Sequence, residues 1–237
     1  MSAMGIGARV ERVEDKRFVL GKGRYVGDIR IPGMKDVAFL RSPLAHGRIR
    51  SIEVPQEYDN NVFTCSHMEN VQPIRANAEL PNFQQSEFWA LAKDKVRFVG
   101  EPIAMCVGNS RAEAEDLIEQ VDVKFEELKP IININQSRSE TEVKLHDHWN
   151  DNLFLKYVIG EDFAAIKKSA DIVIEREYQT ARQVMNPMEG KGIVAYWDET
   201  ENQLVIYSST QVAHLIRTGL SEVLGIPQLQ IRISAPD

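Results

Sequence analysis

Gln211 is the residue whose type and position best suit binding chemistry, because it follows Ser209 and Thr210 at a predicted strand–helix junction. The preceding strand is predicted to end near Ser208, and apolar residues at helical spacing predict a helix over 212–224. Backbone donors and the helix dipole at such a junction favour negatively charged or oxo groups. Gln211 could bind such a group, or it could be an ordinary polar residue of the first helical turn. Thr210 is expected to cap the helix.

The segment around Asp147 is the second place where chemistry could occur, because His146 and His148 flank the carboxylate. Alternating residues of a strand project to one side, so two metal ligands are geometrically possible. A third ligand is not identifiable, and we therefore predict no metal site. A small hydrolase using these groups is a distant alternative. His46 and His214 are predicted to be surface or packing residues.

A single carboxylate and two cysteines complete the candidates. Glu189 is predicted to be structural, in a local pair with Arg182, with the positioning of a ligand as the alternative. Cys65 and Cys106 are far apart and form no Cys-x-x-Cys pattern, so an iron–sulfur site is not expected in this chain. Cys106 lies in an apolar run and is predicted to be an inert buried thiol.

The bulk properties limit the classes of partner. The 237 residues are 43% hydrophobic and 27% charged, which is typical of a globular protein. The formal net charge of −7 argues against a nucleic-acid partner, which would need clustered basic residues. An apolar run of the roughly 20 residues that a membrane span requires is not found. Without a recognisable signal sequence, we expect a cytoplasmic protein.

The elements that position these residues are clearest over 103–125. Residues 103–107 are predicted to form a buried strand, and Ser110 and Glu113 a capping box that starts the next helix. Alternation of apolar and polar residues over 121–125 predicts a second strand. Together these segments predict a β-α-β unit.

Weaker patterns predict the remaining elements. A strand is expected at 37–40. An amphipathic helix is expected to turn Phe163, Ile166 and Ala170 inward. Further strands are predicted at 172–178, 192–197 and 203–208, with a turn at 198–202 and a last strand through Leu229, Ile231 and Ile233.

Six segments, in this order along the chain, resemble one protein family: the molybdopterin-binding large subunits of xanthine dehydrogenase, aldehyde oxidase and carbon monoxide dehydrogenase. The segments are 16–28 (KRFVLGKGRYVGD), 39–49 (FLRSPLAHGRI), 96–104 (VRFVGEPIA), 186–189 (NPME), 209–211 (STQ) and 235–237 (APD). Their order and spacing make the chain similar to the N-terminal part of such a subunit.

The resemblance implies an α+β fold in four parts. These are a lead-in at 1–16, an α/β hammerhead domain at 17–130, a linker at 131–150, and the first, incomplete part of a molybdopterin-binding α+β domain at 151–237. It also implies a molybdenum-dependent oxidoreductase of the xanthine dehydrogenase and aldehyde oxidase type. Gln211 is then implied to lie near an oxo ligand of the molybdenum.

The activity implied by the resemblance is oxidative hydroxylation of an aldehyde or N-heterocycle, or oxidation of carbon monoxide, with water as the oxygen source. The molybdenum–molybdopterin cofactor would be shared with a C-terminal part. An iron–sulfur small subunit and a FAD-binding medium subunit would carry the electrons from a small-molecule substrate.

The same resemblance predicts that the chain is not catalytic alone. In the family, a Gly-rich loop, the pterin-binding loops and the catalytic Glu follow the Ala-Pro-Asp segment. The chain is therefore expected to be a truncated subunit or one piece of a split subunit that a second chain completes. The alternative is a non-catalytic docking or assembly module, or a relic of such a subunit.

Overall fold

The computed structural model describes residues 5–140, 142–160 and 162–237. The helices are α1 (Asp15–Val19), α2 (Arg111–Ile118), α3 (Ile134–Ser139), α4 (Phe163–Ser169) and α5 (Ala213–Leu224). The strands are β1 (Asp36–Arg41), β2 (Gly47–Glu53), β3 (Val62–Thr64), β4 (Ile74–Arg75), β5 (Glu87–Phe88), β6 (Lys95–Val96), β7 (Pro102–Gly108), β8 (Asp122–Glu127), β9 (Ile193–Asp198), β10 (Gln203–Ser208) and β11 (Ile231–Ser234). This mixture of mainly antiparallel sheets with separate helices confirms the predicted α+β class.

The chain divides into two compact units. Gly33–Val184 form the large unit; the described residues up to Pro32, together with Met185–Asp237, form the terminal unit. The predicted linker at 131–150 lies within the large unit. The domain limits inferred from sequence stay a prediction.

The large unit contains two three-stranded antiparallel sheets. One has the order β1-β7-β3 and the other β6-β2-β8, while β4 and β5 form a separate pair. The predicted strands at 37–40 and 103–107 are confirmed. Strand β7 and strand β8 belong to different sheets, so the predicted β-α-β unit has the right elements but the wrong pairing.

Helix α2 shows why its start was predictable. The Ser110 hydroxyl accepts a hydrogen bond from Glu113 N, at 3.2 Å, as an N-cap residue should. The Glu113 carboxylate accepts from Asn109 N, at 2.8 Å, one residue earlier than a capping box requires. A Cβ atom at Gly108 would lie 2.6 Å from Ala114 N, so the chain can approach the helix this closely only with glycine.

Two apolar clusters form the core of the large unit. Val62, Ala104, Cys106 and Leu117 form the first, between the β1-β7-β3 sheet and α2. Ala92, Val96 and Ile103 form the second, and partly buried side chains of β2 and β8 pack against it.

The stretch that follows departs from the sequence prediction. Helix α4 forms, with Asp162 as its N-cap, but Phe163 and Ile166 are 69% and 49% exposed, and Ala170 is exposed too. The inward face predicted for this helix is therefore wrong. Residues 172–178 form no strand, because none of the described strands pairs with them. Alternation alone cannot supply the partner that a strand needs.

The terminal unit contains one three-stranded sheet of order β11-β10-β9. Strand β9 pairs antiparallel with β10 through the predicted turn, in which Thr200 N and Glu201 N donate to Asp198 Oδ1. Strand β11 pairs parallel with β10, and α5 forms the crossover. Gly225 ends α5 at φ +67°, a left-handed conformation that suits glycine. Leu229 lies in a short 3-10 turn before β11 and is exposed.

A search of the described residues for a helix long and apolar enough to cross a membrane finds none.

Candidate functional site

The parallel pair in the terminal unit brings two loops to one edge. Strands β10 and β11 run in the same direction, so the loop that begins at Ser209 and the segment that begins at Ala235 leave the sheet side by side. Ligands of open sheets with parallel strands bind outside the carboxyl ends of those strands. This edge is therefore the place in the terminal unit where a ligand is expected.

An open cleft of about 450 Å³ lies at this edge. Its polar lining consists of Glu189, Lys191, Ser209, Thr210, Gln211 and Asp237. We call it the Gln211 cleft. It unites three of the segments on which the family resemblance rests.

The junction before α5 differs from its prediction by two residues. The N-cap residue is Val212, whose side chain accepts no hydrogen bond, and α5 begins at Ala213. Thr210 Oγ1 accepts from Val212 N, at 3.1 Å, so it orders the loop and does not cap the helix. Gln211 is exposed and precedes the first helical turn. The first amides of α5 thus lack a side-chain cap and can donate to a ligand.

Ser209 fixes the shape of the cleft. Its hydroxyl accepts from Gly192 N at 2.8 Å and donates towards Gly190 O at 3.1 Å, and Ser209 N donates to Gly192 O at 3.1 Å. These bonds join the end of β10 to the turn before β9. The sequence offered no signal for this role beyond the small polar residue at the end of a strand.

Glu189 lies in the cleft without the partner predicted for it. Its Oε1 atom is buried and has no hydrogen-bond partner among the described residues. The structure forms no ion pair between Glu189 and Arg182, so the predicted local pair is wrong. A buried acceptor left open in a cleft costs free energy unless a ligand or water satisfies it. The predicted alternative, in which Glu189 positions a ligand, agrees better with this placement.

Asp237 is held by groups from the start of the chain. The two terminal nitrogens of the Arg17 guanidinium, Nη1 and Nη2, donate to its carboxylate, and Arg24 N donates to Oδ2 at 2.6 Å. Asp237 N donates in return to Arg24 O, at 3.1 Å. The Arg17 guanidinium is the main cause that lowers the pKa of Asp237. This pairing spans 220 positions in sequence, which is why sequence reasoning missed it.

The histidines of the large unit take packing roles. The His146 ring stacks on Trp149 with centroids 4.2 Å apart, and His148 Nε2 lies 3.1 Å from Gln85 O. Asp147 accepts from Lys95 Nζ at 2.9 Å. Burial lowers the pKa of His146 to about 4. Among the described residues, His, Cys, Asp and Glu form no group of three that could hold a metal ion, so nothing supports the hydrolase alternative.

The other candidate residues are buried or peripheral. His46 is 3% exposed, with Nδ1 at 2.8 Å from Lys129 O, which confirms a packing role. His214 is exposed on α5. Cys106 is fully buried, and burial raises the pKa of its thiol, as expected for an inert cysteine.

The Gln211 cleft suits one kind of ligand. It offers donors at Gln211, Lys191 and the start of α5, and an open acceptor at Glu189, but no cluster of metal-ligating side chains. These groups fit a cofactor that brings its own metal ligands and is held from outside by hydrogen bonds. They do not fit a metal ion bound directly by the protein.

Comparison with known proteins identifies the class to which this fold and site belong. Residues 20–129 match the family described as "Aldehyde oxidase and xanthine dehydrogenase, a/b hammerhead domain", and residues 145–237 match "Molybdopterin cofactor-binding domain". The two matches follow each other along the chain and leave only its first residues and a short connection unmatched. They confirm the predicted pair of domain types.

Individual relatives agree. The chain is 31% identical to the nicotine 6-hydroxylase large subunit of Paenarthrobacter nicotinovorans, over 98% of this chain and 29% of that protein. It is 29% identical to the carbon monoxide dehydrogenase large chain of Hydrogenophaga pseudoflava, over 100% of this chain and 31% of that one. The crystal structure of quinoline 2-oxidoreductase from Pseudomonas putida 86 superposes with a TM-score of 0.91 at 34% identity, over 98% of this chain and 30% of that one.

The chain therefore belongs to the aldehyde oxidase and xanthine dehydrogenase family and corresponds to the N-terminal part of its molybdopterin-binding large subunit. It spans about 30% of the length of each of these three relatives.

Proposed function

We propose that the chain is part of a molybdenum hydroxylase large subunit and that Gln211 helps to hold a molybdenum–molybdopterin cofactor. The observation that carries this proposal is the Gln211 cleft, where an exposed amide, the uncapped start of α5 and the open Glu189 acceptor meet. When bound, the cofactor would supply the chemistry of oxidative hydroxylation with water as the oxygen source.

Each polar residue of the Gln211 cleft would have its own role in holding the cofactor. The Gln211 amide would donate a hydrogen bond to an oxo group, and the first amides of α5 would add partial positive charge. Lys191 would contribute a full positive charge on the facing turn. Thr210 and Ser209 would hold the loop in place through their bonds to Val212 N and Gly192.

We also propose that this chain is not catalytic alone. It matches about 30% of the length of the nicotine 6-hydroxylase and carbon monoxide dehydrogenase large subunits, so most of either subunit has no counterpart in these 237 residues. A second polypeptide stretch would complete the cofactor site and the substrate pocket. The substrate would be a small molecule, an aldehyde, an N-heterocycle or carbon monoxide.

Electron transfer would depend on partner subunits. The relatives are named as large subunits or large chains of their enzymes. The only cysteines of this chain are Cys65 and Cys106, both free and too few for a four-cysteine iron–sulfur cluster. We propose an iron–sulfur small subunit and a FAD-binding medium subunit as the carriers.

Native mass spectrometry of the tagged chain, purified gently from its own host, tests this proposal. We expect a complex that contains the completing polypeptide, the iron–sulfur and flavin subunits, and molybdenum in near-equal amount to the chain by elemental analysis. Gln211→Ala should lower the bound molybdenum, whereas Gln120→Ala, an exposed glutamine in the large unit, should leave it unchanged. A chain that purifies with the other polypeptides but without molybdenum would contradict the cofactor role.

A docking or assembly module is the second candidate function. Apolar side chains lie exposed along the irregular stretch after 171, among them Ile172, Ile174 and Met185, at 81%, 78% and 90% exposure. Exposed apolar groups in such number indicate a protein contact. This candidate predicts the same polypeptide complex with no molybdenum and no effect of Gln211→Ala.

A further inference from the structure

A second cleft, of about 460 Å³, lies in the terminal unit beside strands β9 and β10. Three arginines line it, Arg17, Arg24 and Arg30, together with Tyr196 and Tyr207. We call it the arginine cleft. The chain as a whole has a formal net charge of −7, so three arginines in one cleft are a local excess of positive charge.

The charges in the arginine cleft are only partly compensated. Asp237 neutralises the charge of Arg17 through a bidentate ion pair. Neither Arg24 nor Arg30 forms an ion pair with another described residue. Guanidinium groups that share a concave surface repel one another, and an oxyanion between them removes that repulsion.

Hydrogen bonds hold the Arg30 guanidinium and the backbone of Arg24 in place before any ligand arrives. Arg30 Nη1 donates to Gly27 O at 3.0 Å and to Ile29 O at 2.9 Å, which orients the guanidinium and leaves its other N–H groups available. The backbone of Arg24 is fixed on both sides by its bonds with Asp237. A preorganised donor loses less entropy on binding than a mobile one.

The tyrosines add neutral donors at the same place. They lie on the adjacent strands β9 and β10, where Tyr196 pairs with Val205 and Tyr207 with Val194. Burial is the main cause that raises the pKa of Tyr196, and the neighbouring Tyr207 raises it further. The Tyr196 hydroxyl therefore stays protonated at neutral pH. Ile29, Ile31 and Pro236 supply an apolar wall.

We propose that the arginine cleft binds the oxyanion of a small ligand, a carboxylate or a phosphate, with the apolar body of the ligand against Ile29, Ile31 and Pro236. Arg24 and Arg30 would make the charge-assisted hydrogen bonds, while Arg17 stays on Asp237 and keeps the cleft in shape. Pro236 and Asp237 line both clefts, whereas Arg24 and Arg30 line only the arginine cleft, and the proposal does not depend on the proposed cofactor.

NMR titration of the whole chain tests the proposal through the side-chain Nε–Hε resonances of its arginines. Inorganic phosphate and benzoate are the two probes, and sodium chloride at equal ionic strength is the control. We expect saturable shifts of the Arg24 and Arg30 resonances with at least one probe. If only phosphate saturates the shifts, the natural ligand carries a phosphate. If only benzoate does, the ligand carries a carboxylate. If both do, the cleft recognises an oxyanion of either kind.

Two variants and a matched control make the result specific. Arg24→Gln and Arg30→Gln should each weaken binding by about tenfold or more, since each removes a charge-assisted hydrogen bond. Arg75→Gln, which removes an exposed arginine paired with Glu87 in the large unit, should leave the affinity unchanged. Shifts that do not saturate, that chloride reproduces, or that persist in both cleft variants would overturn the proposal.

Discussion

In the large unit the ammonium group of Lys95 is almost fully buried, yet it donates to Lys144 O at 2.8 Å and to Asp147 at 2.9 Å. In the terminal unit the Oε1 atom of Glu189 is buried too, and it has no partner among the described residues. Buried polar groups with complete partners stabilise a particular fold, whereas an open one in a cleft is available to a ligand. His46 Nε2 in the large unit also lacks a partner among the described residues, so the position of Glu189 in a cleft is what makes it a candidate for ligand binding.

The two units differ in the same way in their apolar packing. The large unit has two clusters of buried side chains, and Ile103, Ala104 and Cys106 are at most 1% exposed. In the terminal unit Val205, Ile206 and Ile231 of the sheet are buried, but α5 has no buried residue and Leu215 is 70% exposed. We expect substitutions in the core of the large unit to affect stability, and substitutions in the clefts of the terminal unit to affect binding.

The largest effect should come from the second core cluster of the large unit. Ile103→Ala removes a side chain that is 1% exposed, and we expect the free energy of unfolding to fall by about 3 kcal/mol. Ile74→Ala, at a site that is 57% exposed, should change it by less than about 0.5 kcal/mol. Urea unfolding followed by circular dichroism measures both, and equal losses would contradict the described packing.

A smaller loss is expected at Lys95. Lys95→Met leaves the Lys144 carbonyl and the Asp147 carboxylate without their buried donor, which should cost about 2 kcal/mol, because Asp147 is 54% exposed and water replaces part of the interaction. The same urea experiment on Lys124→Met, which breaks an exposed pair with Glu53, provides the control. If the midpoint of Lys95→Met matched that of the control, the Lys95 cluster would not be a stabilising one.

Acid should weaken the large unit through its packed histidines. The pKa of His146 is lowered to about 4, chiefly by burial, and that of His46 is lowered for the same reason. An unfolded chain binds these protons near pH 6.5, so between about pH 6.5 and 4 it holds more protons than the folded chain. Stability is therefore complete above that window and falls as the pH drops through it.

A single variant measures how much His146 contributes to this loss of stability. His146→Gln should reduce the loss of stability between pH 7 and 5 by on the order of 1 kcal/mol, after allowance for screening at a half-buried ring. His214→Gln, at an exposed position on α5, should not. Identical pH profiles for the two variants would show that His146 is not buried as described.

The smallest effect is local and belongs to the terminal unit. Arg17→Gln removes the guanidinium that holds Asp237, so peptides covering 235–237 should exchange amide hydrogens several-fold faster by mass spectrometry. Arg12→Gln, which affects only an exposed pair with Asp15, should leave that exchange unchanged. Unaltered exchange in Arg17→Gln would mean that the ion pair does not order this segment.

The sequence predicted those parts of the fold that depend on local patterns. The strand at 103–107 was visible as an apolar run, α2 from its N-cap Ser110, and the end of α5 from Gly225. The strand–helix junction that carries Gln211 was predicted for the same reason. Each of these signals is contained within a few residues.

Features that depend on distant partners were not predictable. The alternation over 172–178 suggested a strand, but no described strand pairs with it. The pairing of β8 with β2, and not with β7, could not be read from local spacing. The Arg17–Asp237 pair joins positions far apart in sequence. The role of Gln211 beside a cofactor came from family resemblance alone and stays a prediction.

The pairing pattern of the strands also determines how much chain entropy is lost when they come together. In the terminal unit β9, β10, α5 and β11 follow one another within 193–234, so their sheet closes only short loops. In the large unit Phe39 pairs with Met105 and Ile52 with Val123, and each pairing closes a long stretch of chain. Loop-closure entropy must be lost before such distant contacts form, which slows folding. The unit that carries the Gln211 cleft thus has the sheet of lower contact order.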